Sequence, residues 1–287
     1  MNVQTISCNE KGEKMENAIA MGITPPDVDV KIKKLRRFNL IMGFLHFVQG
    51  LFMIVITFII DTPGETYPVY SNYLTFNREL GGLVANPQKL FDFPLGIGVA
   101  LFLLLSALAH FSLATFGFKW YTKVLKLGMN PVRFYEYALS SSLMIVLIGL
   151  LVGLNDIGAI ILAFTVNASM NLFGLMMEYH NQYTKKVNWI SFIFGCIAGI
   201  APWVVVFLYF MGAVNSGDAK PPAFVYVIIP TLFVFFNIFA LNMFMQYKKI
   251  GKWKDYLYGE RVYIILSLAA KTTLAWLIFS GVFAPSL

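Results

Sequence analysis

Seven stretches of this chain are apolar over about 20 residues each, the length that crosses the hydrocarbon core of a bilayer. They lie at roughly 38–60, 93–117, 132–153, 157–178, 189–212, 223–247 and 260–283. Lipid offers no hydrogen bonds, so each stretch must satisfy its own backbone, and an α-helix does so within one segment. The expected fold is an all-α membrane protein, a bundle of seven transmembrane helices. Composition agrees: 13% of the residues are charged, against about 25% in a soluble domain.

The connections carry their own chemistry. Asn130 before Pro131 places an N-cap ahead of a proline at the first helical position. Asn155-Asp156 is so short a link that the third and fourth spans must be antiparallel neighbours. Residues 61–92 form the one long loop, and Tyr67, Val69, Tyr70, Tyr73, Leu74 and Phe76 suit a small hairpin lid there. Residues 1–34 are expected to be a flexible cytoplasmic tail, with no apolar core of the kind a cleavable signal peptide needs. Residues 35–287 are expected to form a single transmembrane domain. Cys8 and Cys196 show neither a disulfide framework nor metal-ligand spacing, so no metal is expected.

Charge sets the orientation. Of the 22 basic residues, Lys271 lies inside a span, Arg78, Lys89 and Lys220 fall on one side, and the rest fall on the other. Clusters at Lys31 to Arg37, Lys119 to Lys126, Lys185-Lys186 and Lys248 to Lys254 follow helix ends in turn. The positive-inside rule then puts the N-terminus in the cytoplasm and the C-terminus outside. A net charge of +7 calls for no nucleic acid, because anionic lipid headgroups are the simpler partner.

One charge contradicts its surroundings. Lys271 stands near the middle of the seventh span. A charged lysine there costs about 2.5–3.5 kcal/mol on insertion scales, and it marks a functional candidate whose partner must be found. The other deep ionisable groups are Glu136, His46 and His110. Asp156, Glu178 and Glu260 sit at expected span ends, where solvation is the expectation. Ser267 and Lys271 share a helix face, as do Ser106 and His110. Nominal depths put Glu136 and Lys271 roughly 10 Å apart, a gap that a group bound on the lysine would fill. A lysine in an apolar pocket can form a Schiff base with an aldehyde, and the protonated imine needs a carboxylate nearby. Seven helices with a lysine in the last and a carboxylate in the third suit retinal. A proton-gating transporter and a non-retinal seven-helix receptor are the rivals, and a buried Lys–Glu pair can also simply staple two helices.

Several runs resemble the heliorhodopsin family. They are Glu136-Tyr-Ala-Leu-Ser-Ser-Ser-Leu-Met-Ile-Val-Leu-Ile148, Leu105-Ser-Ala-Leu-Ala-His110, Val166-Asn-Ala-Ser-Met170, Phe194-Gly-Cys-Ile-Ala-Gly-Ile-Ala-Pro-Trp203, Lys252-Trp-Lys-Asp-Tyr-Leu-Tyr-Gly-Glu-Arg261 and Leu266-Ser-Leu-Ala-Ala-Lys271. The resemblance covers about residue 35 to the end, and it implies a rhodopsin bundle with the inverted orientation that charge alone suggests. It implies all-trans retinal on Lys271 with Glu136 as counterion, and Ser267 and Ser106 near the Schiff base. It puts His46, His110 and Gln49 in a polar cavity on the cytoplasmic side. Tyr137, Met144, Asn167, Met170, Trp203, Phe236 and Trp276 become candidates for the pocket wall. It also implies a homodimer through the fourth and fifth spans, where Asp156 and Tyr209 are candidate contacts.

The function expected from this resemblance is that of a non-enzymatic photoreceptor with a slow photocycle. Pumping is disfavoured. Outward proton pumps of the usual microbial type carry a second carboxylate eleven residues after the first, where this chain has Leu147, and an acid where it has Ser267. A light-gated passive proton channel or transporter is the alternative. A cytoplasmic signalling partner is expected to dock on loops 118–131 and 248–259.

Overall fold

The first helix is longer than a bilayer requires. In the computed structural model, which describes residues 25–59, 66–216 and 220–283, α1 (Pro25–Ile59) runs 35 residues, about 52 Å at 1.5 Å per residue. Its apolar run starts near residue 38, but Val28, Ile32 and Leu35 recur at helical spacing ahead of it and are buried. They pack with Tyr121, Leu125, Tyr256 and Leu257 into a small core at the basic end of the bundle. The helix therefore claims the last part of the stretch expected to be tail. The rest of that tail, with Cys8, lies outside the described residues, as does the start of the long loop.

After α1 come β1 (Thr66–Asn77) and β2 (Gly82–Pro94), then α2 (Leu95–Ala114) and the short α3 (Phe118–Leu125). The remaining helices are α4 (Pro131–Leu151), α5 (Ile157–His180), α6 (Ile190–Asn215), α7 (Ala223–Tyr247) and α8 (Tyr256–Ile278). A 3-10 turn, Gly251–Lys254, precedes α8 and a π turn, Phe279–Phe283, closes it. Among the described residues seven helices are long and apolar enough to cross a membrane. The two stretches expected to be docking loops are thus largely ordered. α3 buries Tyr121, Val124 and Leu125 and leaves Lys119 and Lys123 exposed, so it lies as an amphipathic helix at the basic end.

α4 is the centre of the bundle. Its span is 78% buried, against 50% or less for the others. It starts as its sequence dictates, with the Asn130 side chain accepting from the Arg133 N–H at 3.3 Å and Pro131 at the first helical position. In the half away from the basic end it packs through Leu143, Met144, Leu147, Ile148 and Leu151 against Val99, Phe102, Leu103, Ile228 and Leu274.

The long loop is a two-stranded antiparallel hairpin that pairs Thr66 with Pro94 at its base and Asn77 with Gly82 at its tip, with a one-residue register shift between Val69 and Tyr70. Gly81 takes the left-handed conformation at the turn (φ +62°), where a side chain would be strained. The hairpin is seated over the α4–α5 link. Val69 is buried on Val146 and Leu150. The Tyr70 N–H donates to the Asn155 carbonyl at 2.9 Å. Asn72 donates from its backbone and its side chain to Asp156 Oδ2 at 3.2 and 3.0 Å.

Candidate functional site

α8 delivers Lys271 to the interior. Its spacing puts Ser267 one turn before the lysine, and Lys271 Nζ donates to Ser267 Oγ at 2.8 Å. Glu136, one turn into α4, places Oε1 3.1 Å from the same Nζ. Ser106 on α2 donates to that oxygen at 2.6 Å. The Tyr137 ring lies 5.0 Å from Nζ, held by its hydroxyl donating to the Tyr263 carbonyl at 3.0 Å. Lysine and glutamate side chains are 3% and 8% exposed. At this separation an effective dielectric near 20 gives an attraction of about 5 kcal/mol, which offsets most of the roughly 3 kcal/mol that inserting each of the two charges costs.

The expected depth gap between Lys271 and Glu136 is not there. Helical side chains tilt toward the N-terminus, and Lys271 reaches back a full turn to the level of Ser267, about 6 Å at 1.5 Å per residue. The side chain of Glu136 covers the rest.

One turn further along α2, His110 stacks on His46 of α1, with ring centroids 5.6 Å apart and planes at 10°. Both are buried. His110 Nδ1 pairs with Asn39 Oδ1 at 2.7 Å, while neither ring nitrogen of His46 has a hydrogen-bond partner among the described residues. Gln49 is not part of this group. It accepts from Trp276 Nε1 at 3.2 Å, and Trp276, 42% exposed, packs outward on Phe52 and Phe279. That mutual bond places both residues on the outer flank of α1 and α8 rather than beside the lysine.

On the other side of Lys271 a slot opens between α4, α5 and α7. Tyr137, Met144, Met170 and Phe236 line it as expected, together with Ser141, Asn171 and Phe239, which the sequence reading did not single out. The slot itself is narrow, about 40 Å³, and opens outward. It continues past Gly174, Gly195 and Cys196 toward the α5–α7 surface. A Cβ at Gly174 would meet the Phe134 ring at 2.5 Å, so this wall depends on a glycine. Asn167 and Trp203 stand one layer back. Asn167 donates to Ser141 and Ser142 at 2.9 and 3.0 Å, and Trp203 packs edge-on against Phe236 at 5.3 Å. Helical spacing was the available signal for the added residues: Ser141 follows Tyr137 by one turn and Asn171 follows Asn167 by one turn.

A second ionic centre lies nearer the basic end, and here the sequence expectation fails. Glu178 and Glu260 are not solvated; they are 1% and 0% exposed. Arg133 joins them, with Nη2 2.5 Å from Glu178 Oε1 and Nη1 on Glu260 Oε1. The Asn130 N–H and side chain donate to Glu178 and Glu260, each at 2.8 Å. Tyr256 donates to Glu178 at 3.0 Å. Tyr263 lies under the guanidinium, 4.0 Å to its centroid.

Asp156 and Tyr209 are not brought together within the chain. Asp156 caps α5, accepting from the Ala159 N–H at 3.0 Å, and holds Asn72. Tyr209 is 40% exposed on α6.

The site residues fit retinal on the chemistry of the donor set: a buried amine between a carboxylate and a hydroxyl, beside an apolar and aromatic slot. Comparison with known proteins points the same way. The heliorhodopsin family model matches residues 35–283. The crystal structure of the transmembrane domain of Salpingoeca rosetta rhodopsin phosphodiesterase superposes with a TM-score of 0.57 at 13% identity, over 98% of each chain, a likeness of fold. No curated protein matches the chain.

Proposed function

Because the chain belongs to the heliorhodopsin family, we propose that it senses light through all-trans retinal carried as a protonated Schiff base on Lys271, with Glu136 as its counterion. The chain is a multi-pass integral membrane protein and of the rhodopsin light-sensing type. The observation that carries the finer reading is the buried Lys271 Nζ, 3.1 Å from Glu136 Oε1 and 2.8 Å from Ser267 Oγ.

Retinal, when bound, supplies absorption of visible light and isomerisation. The chain's own residues do the rest. Glu136 balances the positive charge at the Lys271 nitrogen, Ser106 fixes which carboxylate oxygen faces it, and Ser267 offers a second acceptor on the same helix. Tyr137, Met144, Met170 and Phe236 exclude water from the slot. The His46–His110 stack is the reservoir that takes up and returns the proton, since His46 has both ring nitrogens open to a partner. The apolar outer core around Leu147 and Ile148 supports a sensor that passes no ion.

The cytoplasmic N-terminus is supported by the basic residues gathered at one end of the bundle. A homodimer through α5 and α6 belongs to the same reading, with Tyr209, Leu208 and Gly212 exposed along a shallow groove on α6. A cytoplasmic signalling partner would meet α3 and the 3-10 turn, where Lys119, Lys123, Lys252 and Lys254 are exposed.

The test is to express the full chain, add all-trans retinal and record the absorption spectrum. A visible band that disappears in Lys271→Ala is expected. No band, or one that survives that substitution, overturns the retinal reading. A reproducible photocurrent in a voltage-clamped cell would overturn the sensor without conduction.

A further inference from the structure

The long first helix has a consequence at the basic end. Beyond its apolar run, α1 lies alongside the first turns of α8, and the two leave a groove of about 390 Å³ between them. Lys31, Lys34 and Arg37 from α1 and Arg261 from α8 line its upper part, and Phe38, Ile41 and Leu257 line the part that continues toward the lipid. Helical spacing explains the alignment: 31, 34, 38 and 41 recur on one face of α1, and on α8 residue 261 follows 257 and 258 by one turn.

The charges in this groove differ from the other basic clusters. Four cations face one carboxylate, Asp255, and that carboxylate is already held by Lys31 at 3.0 Å and by the Leu257 N–H at 3.0 Å. Lys34 and Arg37 are exposed and make no ion pair or hydrogen bond among the described residues. Arg261 is positioned over the Phe38 ring, 5.4 Å to its centroid, which stations its guanidinium across the groove from Arg37. The neighbouring Arg36, by contrast, turns to the other face, donates to the Ala114 carbonyl at 2.7 Å and stacks on Phe118. Three cations without a counter-charge among the described residues therefore line one groove, next to Phe38 and Ile41 where the apolar run of α1 begins.

We propose that this groove binds one anionic glycerophospholipid, with its phosphate between Lys34, Arg37 and Arg261 and an acyl chain over Phe38 and Ile41. Basic pockets between transmembrane helices recognise headgroups in this way. The half-buried Tyr258 sits at the rim, where an amphipathic ring suits the interface. The lipid joins the first and last helices, and the last carries Lys271.

The experiment titrates the purified full chain in neutral detergent with phosphatidylglycerol and counts bound lipid by native mass spectrometry. Phosphatidylcholine and glycerol 3-phosphate are run in parallel. A cation in direct contact with the bound phosphate is worth about fivefold in affinity, so Lys34→Gln/Arg37→Gln/Arg261→Gln should weaken phosphatidylglycerol about a hundredfold. Lys119→Gln/Lys123→Gln/Lys186→Gln removes the same charge outside the groove and should change it less than about twofold. Equal losses in the two variants would mean diffuse attraction and overturn the site. Binding of glycerol 3-phosphate as tight as that of the lipid would make it a site for free anions and overturn the lipid. A second reporter leaves every charge in place: Ile41→Trp fluorescence should be quenched by brominated-chain phosphatidylglycerol well below the concentration at which the phosphatidylcholine equivalent acts. Equal quenching by both overturns the proposal.

Discussion

The two buried ionic centres are built to opposite specifications. Around Arg133 both carboxylates are met: Glu178 accepts from the guanidinium, the Asn130 backbone and Tyr256, and Glu260 pairs with the guanidinium and accepts from Asn130, while Arg133 Nε is buried without a hydrogen-bond partner among the described residues. The group ties the starts of α4 and α8 to the end of α5. Around Lys271 the contacts are fewer and softer. A flexible lysine holds one carboxylate and one hydroxyl, a histidine nearby has no partner, and an apolar slot lies beside the amine. The first arrangement fixes helices; the second leaves a nitrogen and a proton free to change partners. Burial of charge alone does not tell a staple from a site. The partners do: two carboxylates tied to one guanidinium in the first centre, an amine beside an open slot in the second.

The largest expected effect comes from breaking the staple. Arg133→Ala leaves two glutamates buried without a cation, and removing one member of a buried ionic group typically costs 3–5 kcal/mol. The variant should fail to accumulate or should unfold far below the parent, measured by thermal unfolding in detergent. Replacing all three charges, as Arg133→Met/Glu178→Leu/Glu260→Leu, removes the desolvation penalty with the bonds and should restore most of the stability. If the triple variant folds but loses the retinal band, the staple is coupled to the site and the division between the two centres breaks.

The same operation on Lys271 should have a smaller effect on stability and a complete effect on function. Lys271→Met leaves one carboxylate, which keeps its bond from Ser106 and can take up a proton; a loss of about 1–3 kcal/mol is expected. Lys271→Met/Glu136→Leu should recover that stability and show no visible band with retinal. A double variant as unstable as Arg133→Ala would show that the Lys–Glu pair is itself a staple.

Glu136→Gln separates charge from shape. The amide keeps the side chain's volume and a hydrogen bond to Ser106 but removes the counter-charge. The retinal band should survive and move to longer wavelength, because the carboxylate no longer stabilises the positive charge of the ground state. An unmoved band would assign the counterion elsewhere.

The bundle was legible in the sequence because lipid leaves an apolar 20-residue run no alternative to a helix. Lys271 and Glu136 were legible for the same reason, as charges where charge is costly. Glu178 and Glu260 were misread because hydropathy reports depth and not facing: each lies near a span end, yet each points at Arg133 on the central helix. The early start of α1 was hidden among the lysines and arginines of residues 31–37, where Val28, Ile32 and Leu35 form a buried stripe too sparse to raise the hydropathy of the segment. Gln49 and Trp276 carry the right residue types for a pocket, and only the rotation of α1 and α8 shows that they face away.

The smallest expected effect concerns how the hairpin is fastened to the bundle. Asp156 accepts from the Ala159 N–H and from Asn72, and these bonds, the Ala159 one foremost, hold its carboxyl below the usual carboxylate range. A carboxyl whose folded value is lowered contributes its full share above the unfolded value, about 3.9, and loses it as the pH falls through the folded value. Hydrogen exchange at the Tyr70 and Asn72 amides, corrected for intrinsic rate, should thus be unchanged from neutral pH to about 5 and faster below the carboxylate range. Asp156→Ala should remove that pH dependence and cost about 1 kcal/mol in local protection, the usual worth of an N-cap. Protection that stays level through the acid range in the parent would assign the fastening to Val69 burial and the Tyr70–Asn155 backbone bond, neither of which titrates.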